Sequence, residues 1–260
     1  GLVGQMLQLG ISFESTLNVF QQTAGATEEE MAKVSEKARE LGADLTLPGT
    51  SATDAAEAML ELSKAGISVN DTLAASKGVL SLSAAGQLSN AEAATIAANA
   101  LNAFHLEGTK AVFVADLLAA AANASSLDVK DVAEGFQQAS AIFYEFQKPA
   151  VGAENAMIDL TTSLAIMANA GIRGSDAGTS LKTMLLKLAG PTDKAQGLMK
   201  DLAQSIGVSG NLAYTAEGQM RPFREIVELT ARATRDLSEE KRNEAINTIF
   251  GTDAARVNLL

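Results

Sequence analysis

Residues 58–71 read Ala58-Met59-Leu60-Glu61-Leu62-Ser63-Lys64-Ala65-Gly66-Ile67-Ser68-Val69-Asn70-Asp71. Residues 163–176 return to the same plan: Ser163-Leu164-Ala165-Ile166-Met167-Ala168-Asn169-Ala170-Gly171-Ile172-Arg173-Gly174-Ser175-Asp176. In both, an apolar helical run reaches Ala-Gly-Ile. A glycine just past a helix adopts the left-handed conformation that ends it, and the apolar residue beyond, Ile67 or Ile172, folds back onto the last turn. The polar residues three positions later, Asn70 and Ser175, are expected to cap the next helix, with Asp71 and Asp176 in its electropositive first turn. The unit is an αα-hairpin whose turn is set by Gly66, Ile67, Asn70 and by Gly171, Ile172, Ser175.

The correspondence runs from Asp54 to Leu80 and from Asp159 to Leu185, each copy opening on an aspartate ahead of an apolar helix. A weaker third copy lies 39 residues after the first, with Phe104-His105-Leu106 in the Ala-Gly-Ile place and Thr109 in the cap place. His105 therefore reads as a turn residue. Asp128 to Gln147 adds an amphipathic helix, with Val129, Val132, Ala133, Phe136, Ala139, Ser140 and Phe143 near helical period. Three hairpins point to a stacked helical array. Their uneven spacing leaves a compact multi-helix bundle as the alternative. The expected divisions are N-terminal helices over 1–48, a repeated hairpin core over 49–190 and C-terminal helices over 191–260.

Composition agrees with an all-α, alanine-rich chain without sheet. Of 260 residues, 48 are alanine, and only four are proline: Pro48, Pro149, Pro191 and Pro222, each at an apparent junction. Alanine has the highest helix propensity but buries little area, so many closely packed helices are expected, each with modest burial energy. Capping boxes are legible at Thr27-Glu28-Glu29-Glu30 and Ser89-Asn90-Ala91-Glu92, and Ser51, Ser238 and Asp253 read as further caps. Glycines at 42, 66, 86, 108, 171, 190 and 251 read as helix ends. No apolar run reaches the 18 residues of a membrane span. The chain stops in mid-pattern at Val257-Asn258-Leu259-Leu260, as expected of a segment of a longer protein.

The net charge of −11 opposes specific binding of nucleic acid. Seven of the eight arginines lie from Arg173 onward, among acidic residues, and read as solvated faces with i,i+4 pairs. Enzymatic readings are poor. There is no cysteine and a single histidine, so a thiolate site, a histidine-pair metal site and a Ser-His-Asp triad have no residues to build on. Glu134 and Glu145 are isolated carboxylates. The glycine-rich stretch 171–180 lacks the Gly-Lys-Ser/Thr ending of a phosphate loop, and a helix–turn–helix connection accounts for its glycines. No catalytic, cofactor-binding or metal-binding residue is expected.

Longer stretches carry a resemblance. Residues 164–182 run from Leu164-Ala165-Ile166-Met167 through Gly174-Ser175-Asp176-Ala177-Gly178-Thr179-Ser180-Leu181-Lys182. Leu186-Lys187-Leu188-Ala189-Gly190-Pro191-Thr192 follows. With Phe13-Glu14-Ser15-Thr16, residues 58–67, Met220-Arg221-Pro222-Phe223 and Ile249-Phe250-Gly251, this succession resembles the core domain of phage tail tape measure proteins. Two departures stand out: His105 in a glycine's place, and Tyr144-Glu145-Phe146-Gln147-Lys148 as an unusual connection. The resemblance implies a helical, non-enzymatic virion protein without cofactor, lying in a few self-associated copies in the tail lumen. It implies tail tube proteins, tail tip proteins and tail assembly chaperones as partners, with host envelope contact on ejection and host cytoplasm as the place of assembly. The implied role is to set tail length and to leave ahead of the DNA. Without the resemblance, the same residues also fit a helical-repeat protein-binding module unrelated to phage.

Overall fold

The computed structural model describes residues 2–125, 127–252 and 254, so the cap expected at Asp253 lies outside the described residues. Among the described residues there are twelve α-helices, one short 3-10 turn and no strand; a lone antiparallel bridge joins Tyr214 and Met220. None of the helices is long and apolar enough to cross a membrane. The chain divides into two compact units, residues 1–119 and 120–260. The division falls inside the expected 49–190 segment.

The first unit holds α1 (Leu2–Ala24), α2 (Glu28–Gly42), α3 (Ala52–Lys64), α4 (Val69–Gly86) and α5 (Asn90–Ala103). The 3-10 turn Gly108–Lys110 then leads into α6 (Ala111–Asn123). Capping boxes at Thr27, Ser51 and Ser89 start α2, α3 and α5, each hydroxyl accepting from the N–H three residues on. α3 lies at the centre, packed on α1, α2, α4 and α5. Its Ala55, Ala56, Ala58, Met59 and Leu62 are fully buried, with Phe20 and Phe104 also in the core. Small residues let backbones approach. A Cβ on Gly78 would stand 2.5 Å from Ala111 C, and one on Gly108 would stand 2.2 Å from Asp71 O. The α2–α3 connection is fixed by Asp44, whose carboxylate accepts from Thr46 Oγ1 at 2.6 Å, Thr46 N at 2.8 Å and Lys77 Nζ at 2.9 Å. The Thr46 hydroxyl, with Lys77, holds that carboxyl well below the usual range.

The second unit holds α7 (Val129–Val151), α8 (Ala153–Asn169), α9 (Gly174–Ala189), α10 (Asp193–Ser205), α11 (Phe223–Thr234) and α12 (Glu239–Phe250). α7 starts at an Asp128 cap and buries Val129, Val132, Phe136, Ala139, Ser140 and Phe143 on one face. It runs beyond the expected end. Tyr144–Lys148 is helix, not connection, and Pro149 sits inside its last turn. A proline there removes only one of the last backbone hydrogen bonds, and the chain turns at Gly152, φ 81°.

Hairpin partners are not the main packing partners. α9 packs more extensively on α7 than on α8, and α3 more on α1, α2 and α5 than on α4. The α7–α9 crossing is a glycine seam. A Cβ on Gly178 would lie 2.1 Å from Gly135 O, and one on Gly135 would lie 2.9 Å from Gly174 O. The glycine-rich 171–180 stretch thus serves two ends: Gly171 turns the chain, and Gly178 lets two helix backbones touch. Gly197, in α10, has nothing within 4 Å.

These two glycines give opposite expectations in urea unfolding of the chain. Gly197→Ala should raise stability by about 0.5–1 kcal/mol, since helix propensity improves at no steric cost. Gly178→Ala should lower it by about 1–3 kcal/mol through overpacking. Equal effects would contradict the backbone contact between α7 and α9.

Candidate functional site

The hairpin turns share one hydrogen-bond geometry. Gly66, at φ 83°, donates to Ser63 O at 3.0 Å, and Ile67 N donates to Leu62 O at 3.1 Å. Gly171, at φ 91°, donates to Ala168 O at 2.9 Å, and Ile172 N donates to Met167 O at 3.0 Å. These are the paired six-to-one and five-to-two bonds of a left-handed helix end. His105 takes the same conformation at φ 50°, with Leu106 N on Leu101 O at 2.8 Å. Histidine accepts this at some cost because the left-handed region crowds its Cβ.

The capping expectation is corrected. Asn70 lies in the first turn of α4, and the cap is Ser68, whose Oγ accepts from Asp71 N at 3.1 Å. Ser175 lies in the first turn of α9, after Arg173, which makes no side-chain cap bond. The reason is local. Once Ile67 or Ile172 has folded back, the very next residue is already extended, so the cap falls one position past the isoleucine, not three. At Thr109 the chain is in the 3-10 turn, whose opening N–H, on Gly108, is bound instead by Asp71 Oδ1 of α4 at 2.8 Å. Gly86, Gly108 and Gly190 are not left-handed ends. Gln87 takes that conformation after α4, and Gly190 has φ −127°.

The repeat's opening aspartates have different lives. Asp54 completes the Ser51 capping box at the third residue of α3. Asp159 is in the interior of α8, 7% exposed, and pairs with Arg224 of α11. Burial pushes its carboxyl above the ordinary value, opposed by the Arg224 charge and hydrogen bond. Next to it, Gln147 of α7 is fully buried. Its Oε1 accepts from Phe223 N at 2.5 Å, so a side chain of α7 caps α11, which has no cap of its own at Pro222. Its Nε2 points to Met220 Sδ at 3.7 Å. The Phe223 ring meets Phe143 edge to face, centroids 5.7 Å apart. Met220 and Phe223 of the Met220-Arg221-Pro222-Phe223 stretch therefore help seat α11.

Sequence reading missed most of the arginine chemistry. Arg221 makes the expected i,i+4 pair with Glu225, but it also donates to Ser209 O at 2.8 Å and Asn211 O at 3.2 Å. Arg232 donates to Ile206 O, and Arg242 to Thr234 O and Arg235 O. These guanidinium groups bind carbonyls at the ends of α10 and α11. Five fixed donors suit that task, and lysine would not replace them. The one clue was the clustering of arginine after Arg173.

An open cleft of about 500 Å³ lies between α8 and α11, lined by Asn155, Ile158, Asp159, Arg224, Glu225 and Glu228 among others. Among the described residues, no group of histidine and carboxylate side chains is placed to hold a metal ion. Glu134 stands at the start of α9, where a Cβ on Gly174 would be 3.2 Å from its Oε2, and Glu145 is exposed on α7. The chemistry of these sites is that of holding helices in place.

Residues 35–251 match the family described as phage-related minor tail protein. The chain is 34% identical over 254 residues to the tape measure protein of Pneumococcus phage Dp-1, covering 98% of this chain and 21% of that protein. It is 27% identical over 258 residues to the probable tape measure protein of Escherichia phage P2, covering 96% of this chain and 29% of that protein. The chain thus spans less than a third of either relative. No solved structure matches it.

Asp159 sets a pH expectation. A carboxyl whose native pKa is raised favours folding below its unfolded value and loses that contribution as pH rises through the native value. Relative to Asp159→Asn, the wild-type chain should therefore lose stability as pH rises above the ordinary aspartate value of about 4. Denaturant unfolding across that range measures it. A wild-type chain that gains on the variant with rising pH would show the Arg224 pair outweighing burial.

Proposed function

The chain belongs to the phage-related minor tail protein family, and on that premise we propose that it is a segment of a tape measure protein. That protein sets tail length during assembly and assists DNA passage into the host. The observation that carries this reading is the similarity to two tape measure proteins along almost the whole chain. The proposed setting is the lumen of the tail in the virion, with assembly in the host cytoplasm. The proposed partners are further copies of the same protein, tail tube and tail tip proteins, assembly chaperones and, on ejection, the host envelope. No reaction is proposed. Asp54, Asp71 and Asp159 and the arginines at 221, 224, 232 and 242 are engaged in helix caps and clamps, and the surface charge is unsuited to holding DNA.

The geometry favours a folded body over a stretched ruler for this segment. α3 and α4 run back past each other, so their residues do not add up to length along one axis. Laid out as one helix, residues 49–86 would span about 57 Å at roughly 1.5 Å per residue. Doing so would expose the buried faces of Met59, Leu62, Val79 and Leu82. On this reading the ruler corresponds to the length that the relatives carry beyond the matched segment, and this core serves assembly and delivery.

In-frame deletion of residues 49–86 from the phage, with tails measured by electron microscopy, tests both statements. The expected result is loss of infectivity, with any tails that form near normal length. Tails shorter by about 57 Å would overturn the folded-body reading and make the segment part of the ruler. Tails of normal length on fully infectious particles would overturn the assembly and delivery role of this core.

A further inference from the structure

We propose that α11 is latched, not packed, onto α7 and α8, so that residues 193–250 open as one cooperative step ahead of the α7–α9 core. The attachment of α11 is concentrated at its start. Phe223 N–H is held by Gln147, the Phe223 ring rests on Phe143, and Arg224 reaches Asp159. Past that turn α11 and α8 diverge, and the cleft of about 500 Å³ lies between Asn155 and Ile158 on one side and Glu225 and Glu228 on the other.

The two locks are polar groups in places where polar groups are costly. Gln147 is fully buried and Asp159 nearly so. When the cleft widens, water rehydrates the amide, the carboxylate and the freed N–H of Phe223. Much of what the broken bonds cost is returned as solvation. An apolar interface of the same extent offers no such return. The α7–α9 interface is of that second kind. Gly135 and Gly178 bring the helix backbones into contact, and Leu181, Met184, Leu185 and Leu188 are all fully buried.

The rest of the attachment fits a detachable body. Gly190-Pro191 separates α9 from the Thr192 cap of α10, and only Leu186 O lies within 4 Å of where a Gly190 Cβ would be. α12 also packs on α9, as extensively as on α10, with Ile249 and Phe250 buried and the Lys187 side chain laid along Gly251, so the opening step breaks this contact together with the two locks. Within the body, α10 packs on both α11 and α12, and Arg232 and Arg242 tie its chain ends together. Opening at the locks therefore moves three helices, not one.

Hydrogen exchange read by mass spectrometry on the whole chain tests the latch. Arg224 has a side chain 60% exposed, so Arg224→Ala removes the ion pair without emptying a core position. It should speed exchange of the slow amides throughout 193–250, α10 included, about tenfold, leaving those of 129–189 within about twofold. Gln147→Met keeps the length and bulk of the side chain but removes the acceptor, and should give the same pattern. Equal acceleration in 129–189, acceleration confined to 223–250 without 193–205, or no change in 193–250 for either variant, would overturn the latch.

Discussion

The fold rests on one backbone device, the hydrogen bond from the residue after a left-handed helix end to the carbonyl five positions back. It recurs at Ala26, Ile67, Leu88, Leu106, Ile172 and Val208, each an apolar residue following a left-handed Gly25, Gly66, Gln87, His105, Gly171 or Gly207. The bond satisfies a carbonyl that a helix end would otherwise leave bare, and it reverses the chain within a few residues. At three of the six, the next residue is a hydroxyl cap: Thr27, Ser68 and Ser89. One helix is closed and the next opened in three residues, which is why so alanine-rich a chain divides into helices of about 12 to 23 residues instead of running on.

Other helix-end groups are bound by side chains from distant segments. Gln147 caps α11, Asp71 binds the N–H that leads into α6, and Arg221, Arg232 and Arg242 take up carbonyls along the 206–235 stretch. The two solutions differ in consequence. A left-handed turn is local and holds whether or not the neighbouring helix is present. A cap donated from another helix exists only while the two helices are docked. The start of α11, built on the second solution, depends on its docking in a way the α3–α4 and α8–α9 turns do not.

Alanine and glycine set how closely the helices approach, and with few large side chains the packing relies on backbone proximity. Phe20, Phe104, Phe143 and Phe223 are the largest fully buried anchors, spaced along a core otherwise filled by alanine, leucine and methionine. Interiors of this kind are sensitive to one added methyl group at a crossing and indifferent to it on an open face.

By itself the sequence determined the helices and their reversals. Helix propensity, caps and left-handed glycines act within five or six residues, so Thr27, Ser51, Ser89, Gly66 and Gly171 could be read directly. The cap next to Ile67 was misplaced only because Asn70 outranks nothing physically: both it and Ser68 are good caps, and the choice turns on where the fold-back ends. Partner choice was decided by the tertiary structure alone. The α7 helix, not the hairpin partner, covers α9, because Gly135 and Gly178 can touch while larger side chains elsewhere cannot. Asp54 and Asp159 occupy the same place in the repeat, yet one caps a helix and the other is buried against Arg224. Gln147 stood at the expected end of an amphipathic helix, with nothing local to mark it, and is the buried cap of a helix 76 residues away. Such roles depend on contacts between distant segments, and no local pattern encodes which segments will meet.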